Sequence, residues 1–231
     1  MFIVRFFQSG GLFMFPILMV LLIGLAIALE RWMHLKKVKD MNKKMWDSVY
    51  PKLEKGEFDR ARDLVNKDSS GMAQMLSMGL ARQGAVRRRE DIEIAMEESM
   101  MEIIPQLEKR TPYLALLSNI ATLFGLLGTI MGLIHAFAAV ATASPAEKAA
   151  LLAASISEAM NCTAFGLMSA IPLLLIHARL TTTTGHIVNS LEMAAVKALN
   201  VISNFTKRQF DRATAMTTAD VLGGEHAKKA S

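Results

Sequence analysis

Apolar residues along this chain fall in three long windows, and the segments between and after them change to an amphipathic pattern. From Phe6 to Leu29 there is no acidic, basic or histidine side chain, and from Thr111 to Ala146 the only one is His135. A third window, Ala149 to Ala178, is interrupted by Glu158 and, near its end, by His177. Each window exceeds the roughly 20 residues that cross about 30 Å of hydrocarbon at about 1.5 Å per residue, so three membrane-spanning helices are predicted. Between the first two, "EFDRARDLVNK" puts Phe58, Ala61, Leu64 and Val65 on one helix face with charges between them. "EDIEIAMEESMMEIIPQLEKR" repeats that pattern, and "NKDSSG" reads as a turn. The helix starting near Arg88 meets no strong stop before Val140, since Pro105 and Pro112 read as kinks; it is expected to run continuously into the second span. The third span is expected to continue past Arg179, because Leu191, Ala194, Ala195, Ala198, Leu199 and Ile202 keep a helical spacing. After Thr214 the pattern lapses, which predicts a mobile tail.

Composition and charge assign a solvent and an orientation to these elements. Hydrophobic residues are 52% of the chain and the mean hydropathy is +0.30, with charges gathered in blocks. The first window ends in "ALERW" without a small-residue cleavage pattern, so it reads as an anchor and not a removable signal. Of the 26 Lys and Arg, 17 lie between Glu30 and Arg110 and seven follow Ala178. The positive-inside rule then predicts a periplasmic N-terminus and first span over 1–30, and a cytoplasmic helical domain over 31–110. The second span falls at 111–141, a periplasmic loop at 142–150 and the third span at 151–178. A cytoplasmic helix and tail follow over 179–231. The fold class is an all-α membrane protein of three spans, with spans two and three extended into long cytoplasmic helices and a helical insertion between spans one and two. The net charge of +5 reflects this topology, and no aromatic-interleaved basic patch suggests nucleic acid. The basic run Arg87 to Arg89 and the seven acidic residues after it read as a solvated helix face.

No enzyme motif is present: no phosphate-binding glycine loop, no HExxH, no GxSxG and no Cys/His set with zinc spacing, so neither catalysis nor a cofactor is expected. The unusual chemistry is polar and lies inside the apolar windows. Winding the third span at about 100° per residue puts Ser155, Glu158, Asn161, Cys162, Gly166 and Ser169 on one small and polar stripe, with Thr163 at its edge and Met160 and Leu167 opposite. A carboxylate in hydrocarbon costs at least ~2.5 kcal/mol unless it faces protein or water, so Glu158 is expected to face inward. In the second span Gly125, Gly128 and Gly132 share a side, a pattern suited to close helix packing, with Thr129 next to it. Cys162, the single cysteine, has no local partner and reads as a small apolar filler.

Three ordered motifs together resemble the MotA/TolQ/ExbB proton channel family: "GGLFMFPILMVLLIGLAIALER", "LFGLLGTIMGLIHAF" and "SISEAMNCTAFGLMSAIP". The resemblance implies that Thr129, Thr163 and Glu158 line an ion path, with Asn161, His135 and Ser155 as further candidates and Gly125, Gly128, Gly132 and Gly166 in helix packing. It implies a homo-pentamer around a pair of single-span ExbD/TolR/MotB-like partners whose membrane aspartate is protonated, in the bacterial inner membrane. The work so powered would be import, envelope maintenance or gliding. The transported ion is expected to be H+. Asn161 and Cys162 replace residues that are more often small and apolar in the family, and His135 also departs from its pattern; the added polar groups make Na+ coupling an alternative. A non-conducting scaffold is a further alternative. The short N-terminal segment leans toward TolQ-like or specialised gliding and secretion motors. No partner segment is present in the sequence, so this chain alone is not expected to be a complete motor.

Overall fold

A computed structural model describes the backbone of residues 11–83 and 89–229 and the side chains of those up to residue 208. Arg5, Gly10, Arg87 and Arg88 lie outside the described residues, as does the His226 side chain. The described residues form six helices and no strand: α1 (Met14–Glu54), α2 (Phe58–Val65), α3 (Gly71–Arg82), α4 (Arg89–Glu108), α5 (Pro112–Thr142) and α6 (Lys148–Lys229). Three apolar windows, carried by α1, α5 and α6, are long enough to cross a membrane. The helix of the third window continues past Arg179, as its spacing predicts, and also past Thr214, where no element was expected.

Two compact units divide the chain, one of Met1–Leu35 with Glu108–Thr184 and the other of Lys36–Leu107 with Gly185–Ser231. The first unit holds the apolar windows. Its α1 starts after Gly11, whose φ of 74° is left-handed, and Pro16 falls in the first turn, where a missing N–H costs least. Ile17, Ala121, Cys162 and Ala170 form a buried cluster joining the three apolar helices, bordered by Phe13, Val20, Phe124 and Phe165. Gly24 lets α1 approach Leu173 so closely that an added Cβ would lie 2.7 Å from a leucine methyl. Leu22, Leu123, Phe137 and Leu175 point away from this core, offering apolar surface to lipid or to other helices.

The expected continuous helix into the second span is broken. Pro112 has no N–H to give the Glu108 carbonyl, and the Thr111 N–H takes that carbonyl instead, at 3.2 Å. Arg110 turns left-handed at φ 66° between the two helices. One of its guanidinium nitrogens reaches both Glu30 oxygens, at 2.6 and 2.7 Å. A left-handed residue with a Cβ is disfavoured by roughly 1–2 kcal/mol, and an ion pair open to solvent contributes less than that. Arg110→Gly is therefore expected to be neutral or mildly stabilising in thermal unfolding of the purified protein, whereas Glu30→Ala, which removes only the pair, is expected to destabilise slightly. A large loss from Arg110→Gly would show that the pair dominates this corner.

In the second unit, most residues spaced for burial are buried: Ala61 and Val65 of α2, with Phe58 and Leu64 only partly so, Ile92, Ala95 and Met96 of α4, and Leu191, Ala194, Ala195, Ala198, Leu199 and Ile202 of α6. Gly56, at φ 75°, ends the first long helix where a side chain would strike Phe205, and the Phe205 ring meets Phe58 edge-on at 5.5 Å. Both ends of α3 are capped by side chains. Ser70 Oγ accepts the Ala73 N–H at 3.2 Å and Asn42 Oδ1 accepts the Met72 N–H at 3.1 Å. Arg62 donates to the Leu80 carbonyl at the other end, at 2.9 Å.

Candidate ion-path site

The polar residues of the apolar windows are positioned by a seam of small residues between α5 and α6. Ser118, Ala121, Gly125, Gly128 and Gly132 recur at spacings of three and four, so they fall on one side of α5. At this face the helices meet without intervening side chains. A Cβ on Gly125 would lie 3.3 Å from the Cα atoms of both Gly166 and Thr163, and one on Gly166 would lie 2.9 Å from the Ala121 carbonyl oxygen and 3.0 Å from the Gly125 Cα. One turn further, the Cys162 thiol occupies the space a Gly128 side chain would need, and Ala159 does the same for Gly132. Cys162 is thus a filler: a buried knob in a glycine hole.

Such close approach brings hydroxyls within reach of carbonyls on the facing helix. Thr163 Oγ1 donates to the Gly125 carbonyl at 2.9 Å, and Ser118 Oγ donates in the other direction to the Ala170 carbonyl at 2.8 Å. Ser118 was not among the sequence candidates. Its signal was the extension of the glycine spacing by one further heptad toward the start of the helix. Thr129, one position off the seam, donates back to the Leu126 carbonyl of its own helix at 2.6 Å.

Winding the third span gave a single polar stripe, but in the structure it serves two surroundings. Cys162, Gly166 and Ser169 are buried against neighbouring helices, while Glu158 is exposed and Ser155 and Asn161 are partly so. The inward orientation expected for Glu158 does not hold within one copy of the chain. Its carboxylate instead lies against Gly11, where an added Cβ would collide with it, just before the first turn of α1. A negative charge is favoured there, because the first N–H groups of a helix lack internal partners and carry its positive end. Gly11 was another contact missed in the sequence, where "GG" reads as an opening of the span and carries no sign of a partner 147 positions away. The antiparallel pairing of Gly125 with Gly166, Gly128 with Cys162 and Gly132 with Ala159 puts Thr129 at the level of Asn161 and His135 at the level of Ser155. His135 is exposed, and Met160 and Leu167 are also exposed, at 66% and 44%.

Known proteins carry a similar stretch. Residues 67–193, more than half of the chain, match the MotA/TolQ/ExbB proton channel family. The Tol-Pal system protein TolQ of Haemophilus influenzae is 34% identical over 115 residues, which is 50% of this chain and 48% of that protein. TolQ of Pseudomonas aeruginosa is 29% identical over 119 residues, covering 48% of this chain and 51% of its own length. A biopolymer transport protein ExbB homologue of Methanothermobacter thermautotrophicus is 24% identical over 193 residues, covering 83% of this chain and 67% of its own. The chain thus spans about half the length of the TolQ proteins it matches. The matched region contains α5, the apolar part of α6 and the seam with its hydroxyl bonds, and with three helices able to span a membrane, the chain belongs to the MotA/TolQ/ExbB proton channel family.

Proposed function

We propose that this chain is the channel-forming subunit of an inner-membrane motor that uses the proton motive force to do mechanical work on the cell envelope. In this reading five copies surround a pair of single-span ExbD/TolR/MotB-like helices, each with a membrane aspartate. The N-terminus is periplasmic and the C-terminus cytoplasmic. The part of α6 that continues past the third span lies on the cytoplasmic side of the assembly, together with the insertion over 31–110. The process served is import, envelope maintenance or gliding.

The observation that carries the reading is the state of the two threonine hydroxyls. Both have committed their protons to helix carbonyls, Thr163 to Gly125 and Thr129 to Leu126. Each then presents oxygen lone pairs to anything that approaches. A lone pair can accept from the O–H of a protonated aspartic acid but repels an aspartate, so the pair favours the partner carboxyl in its neutral, proton-loaded form. When the proton leaves, the hydroxyl must swing away from its carbonyl to donate, or the charge must move on toward water. A proton falling through 100 mV releases about 2.3 kcal/mol, enough to drive such a local exchange. Glu158, against the first turn of α1, takes the place of the mouth of this path, where its charge draws cations.

The test is reconstitution in liposomes containing a pH dye, with and without an ExbD/TolR-like single-span protein that bears a membrane aspartate. Proton entry is expected only with both proteins present, and native mass spectrometry is expected to give five copies to two. Rapid uptake by this chain alone would overturn the division of labour. Full motor activity with no proton flux through the pair would overturn the conducting role.

A further inference from the structure

The second unit contains a groove of about 460 Å³ between α1, α3 and α6, lined by Lys39, Asn42, Lys43, Trp46, Met72 and His186 among others. Its size lies in the range of small-ligand sites. Lys39, Lys43 and Trp46 recur at i, i+4 and i+7, so one face of α1 turns two ammonium groups and an indole toward it. His186 adds an imidazole ring from α6. Ser190, one turn on, has given its proton to the Ile187 carbonyl at 2.7 Å and offers only lone pairs. Asp40 is the one carboxylate among the lining residues, so the two ammonium groups outnumber it.

Asn42, in the wall of the groove, holds a buried donor that lacks an acceptor. Only 2% exposed, its amide oxygen accepts the Met72 N–H at the start of α3. The amide nitrogen on the other branch is buried with no acceptor. A buried donor left unmade costs roughly 1–3 kcal/mol, so such groups are found where a bound group completes them. The positive end of α3 begins at the same wall. A phosphate offers such a cluster of donors more acceptor oxygens and more negative charge than a carboxylate does.

We propose that this groove binds a phosphate group, with Lys39 and Lys43 supplying charge and Asn42 the buried donor. The inference does not depend on ion conduction. Phosphate of this kind is carried both by free phosphate compounds and by anionic phospholipid headgroups, and two arms separate them. In the first, the full chain in detergent is titrated calorimetrically with inorganic phosphate and, in parallel, with acetate. In the second, retention of phosphatidylglycerol against phosphatidylcholine is measured by native mass spectrometry. The variants are Lys39→Gln with Lys43→Gln, and Lys207→Gln on an exposed position elsewhere; far-UV circular dichroism confirms that each keeps its helices. Saturable phosphate binding weakened at least fivefold in the double variant and unchanged in Lys207→Gln would establish a free-phosphate site. Selective phosphatidylglycerol retention that disappears in the double variant would establish a headgroup site. Acetate binding as tightly as phosphate, or no difference between wild type and double variant in either arm, overturns the proposal.

Discussion

Gly166→Leu is expected to leave no stable packing between the second and third spans. A Cβ at this position would stand 2.9 Å from the Ala121 carbonyl oxygen and 3.0 Å from the Gly125 Cα. Both are backbone atoms of α5, so relief requires the helices to part and not merely a rotamer change. Even Gly166→Ala should cost the roughly 1–3 kcal/mol typical of overpacking, and leucine more. Parting also breaks the Thr163 and Ser118 bonds to the facing carbonyls. The measurement is thermal unfolding of the purified protein in detergent, with Gly185→Ala as control. No atom lies within 4 Å of a Cβ there, and alanine favours a helix over glycine by about 1 kcal/mol, so the control should be neutral or stabilised. The same logic makes Gly128→Ala harmful through Cys162 and predicts partial rescue by Cys162→Gly, which moves the knob to the other helix. Equal tolerance of leucine at 166 and alanine at 185 would refute the seam.

Thr163→Val should separate stability from function. Valine has nearly the same shape, so the packing survives, and the loss of one interhelical hydrogen bond costs about 0.5–1.5 kcal/mol. On the proposed reading, proton-driven activity should nevertheless fall roughly tenfold or more, which is what about 1.4 kcal/mol added to a barrier produces. Thr163→Ser keeps the hydroxyl and should retain most of the activity. Assembly with the partner, followed by co-purification, must be unchanged in all three proteins for the comparison to count. If Thr163→Val assembled and drove its process at full rate, the hydroxyl would be only a packing bond.

How much of this was legible beforehand depended on whether the deciding physics was local. The three spans were, because hydrocarbon thickness sets a minimum run of apolar residues. The glycine face of α5 was also legible, since helical period alone gathers Gly125, Gly128 and Gly132. The break before Pro112 was not, because a proline in a helical pattern is compatible with a kink or a stop. What decided it was the Thr111 N–H taking the Glu108 carbonyl. Winding the third span gave each residue an angle but not a neighbour, so one stripe on paper became a buried seam through Cys162 and Gly166 and an exposed carboxylate against Gly11. The groove at Asn42 joins residues from positions 39 to 190 and has no linear signature.

Cys162 gives this chain a built-in silent background for chemical labelling. It is the single thiol in 231 residues, it is buried, and buried thiols surrounded by apolar groups react slowly. A cysteine placed on any exposed position would be modified alone, without first replacing the native one. Slow modification of Cys162 itself would then time how often the two helices separate.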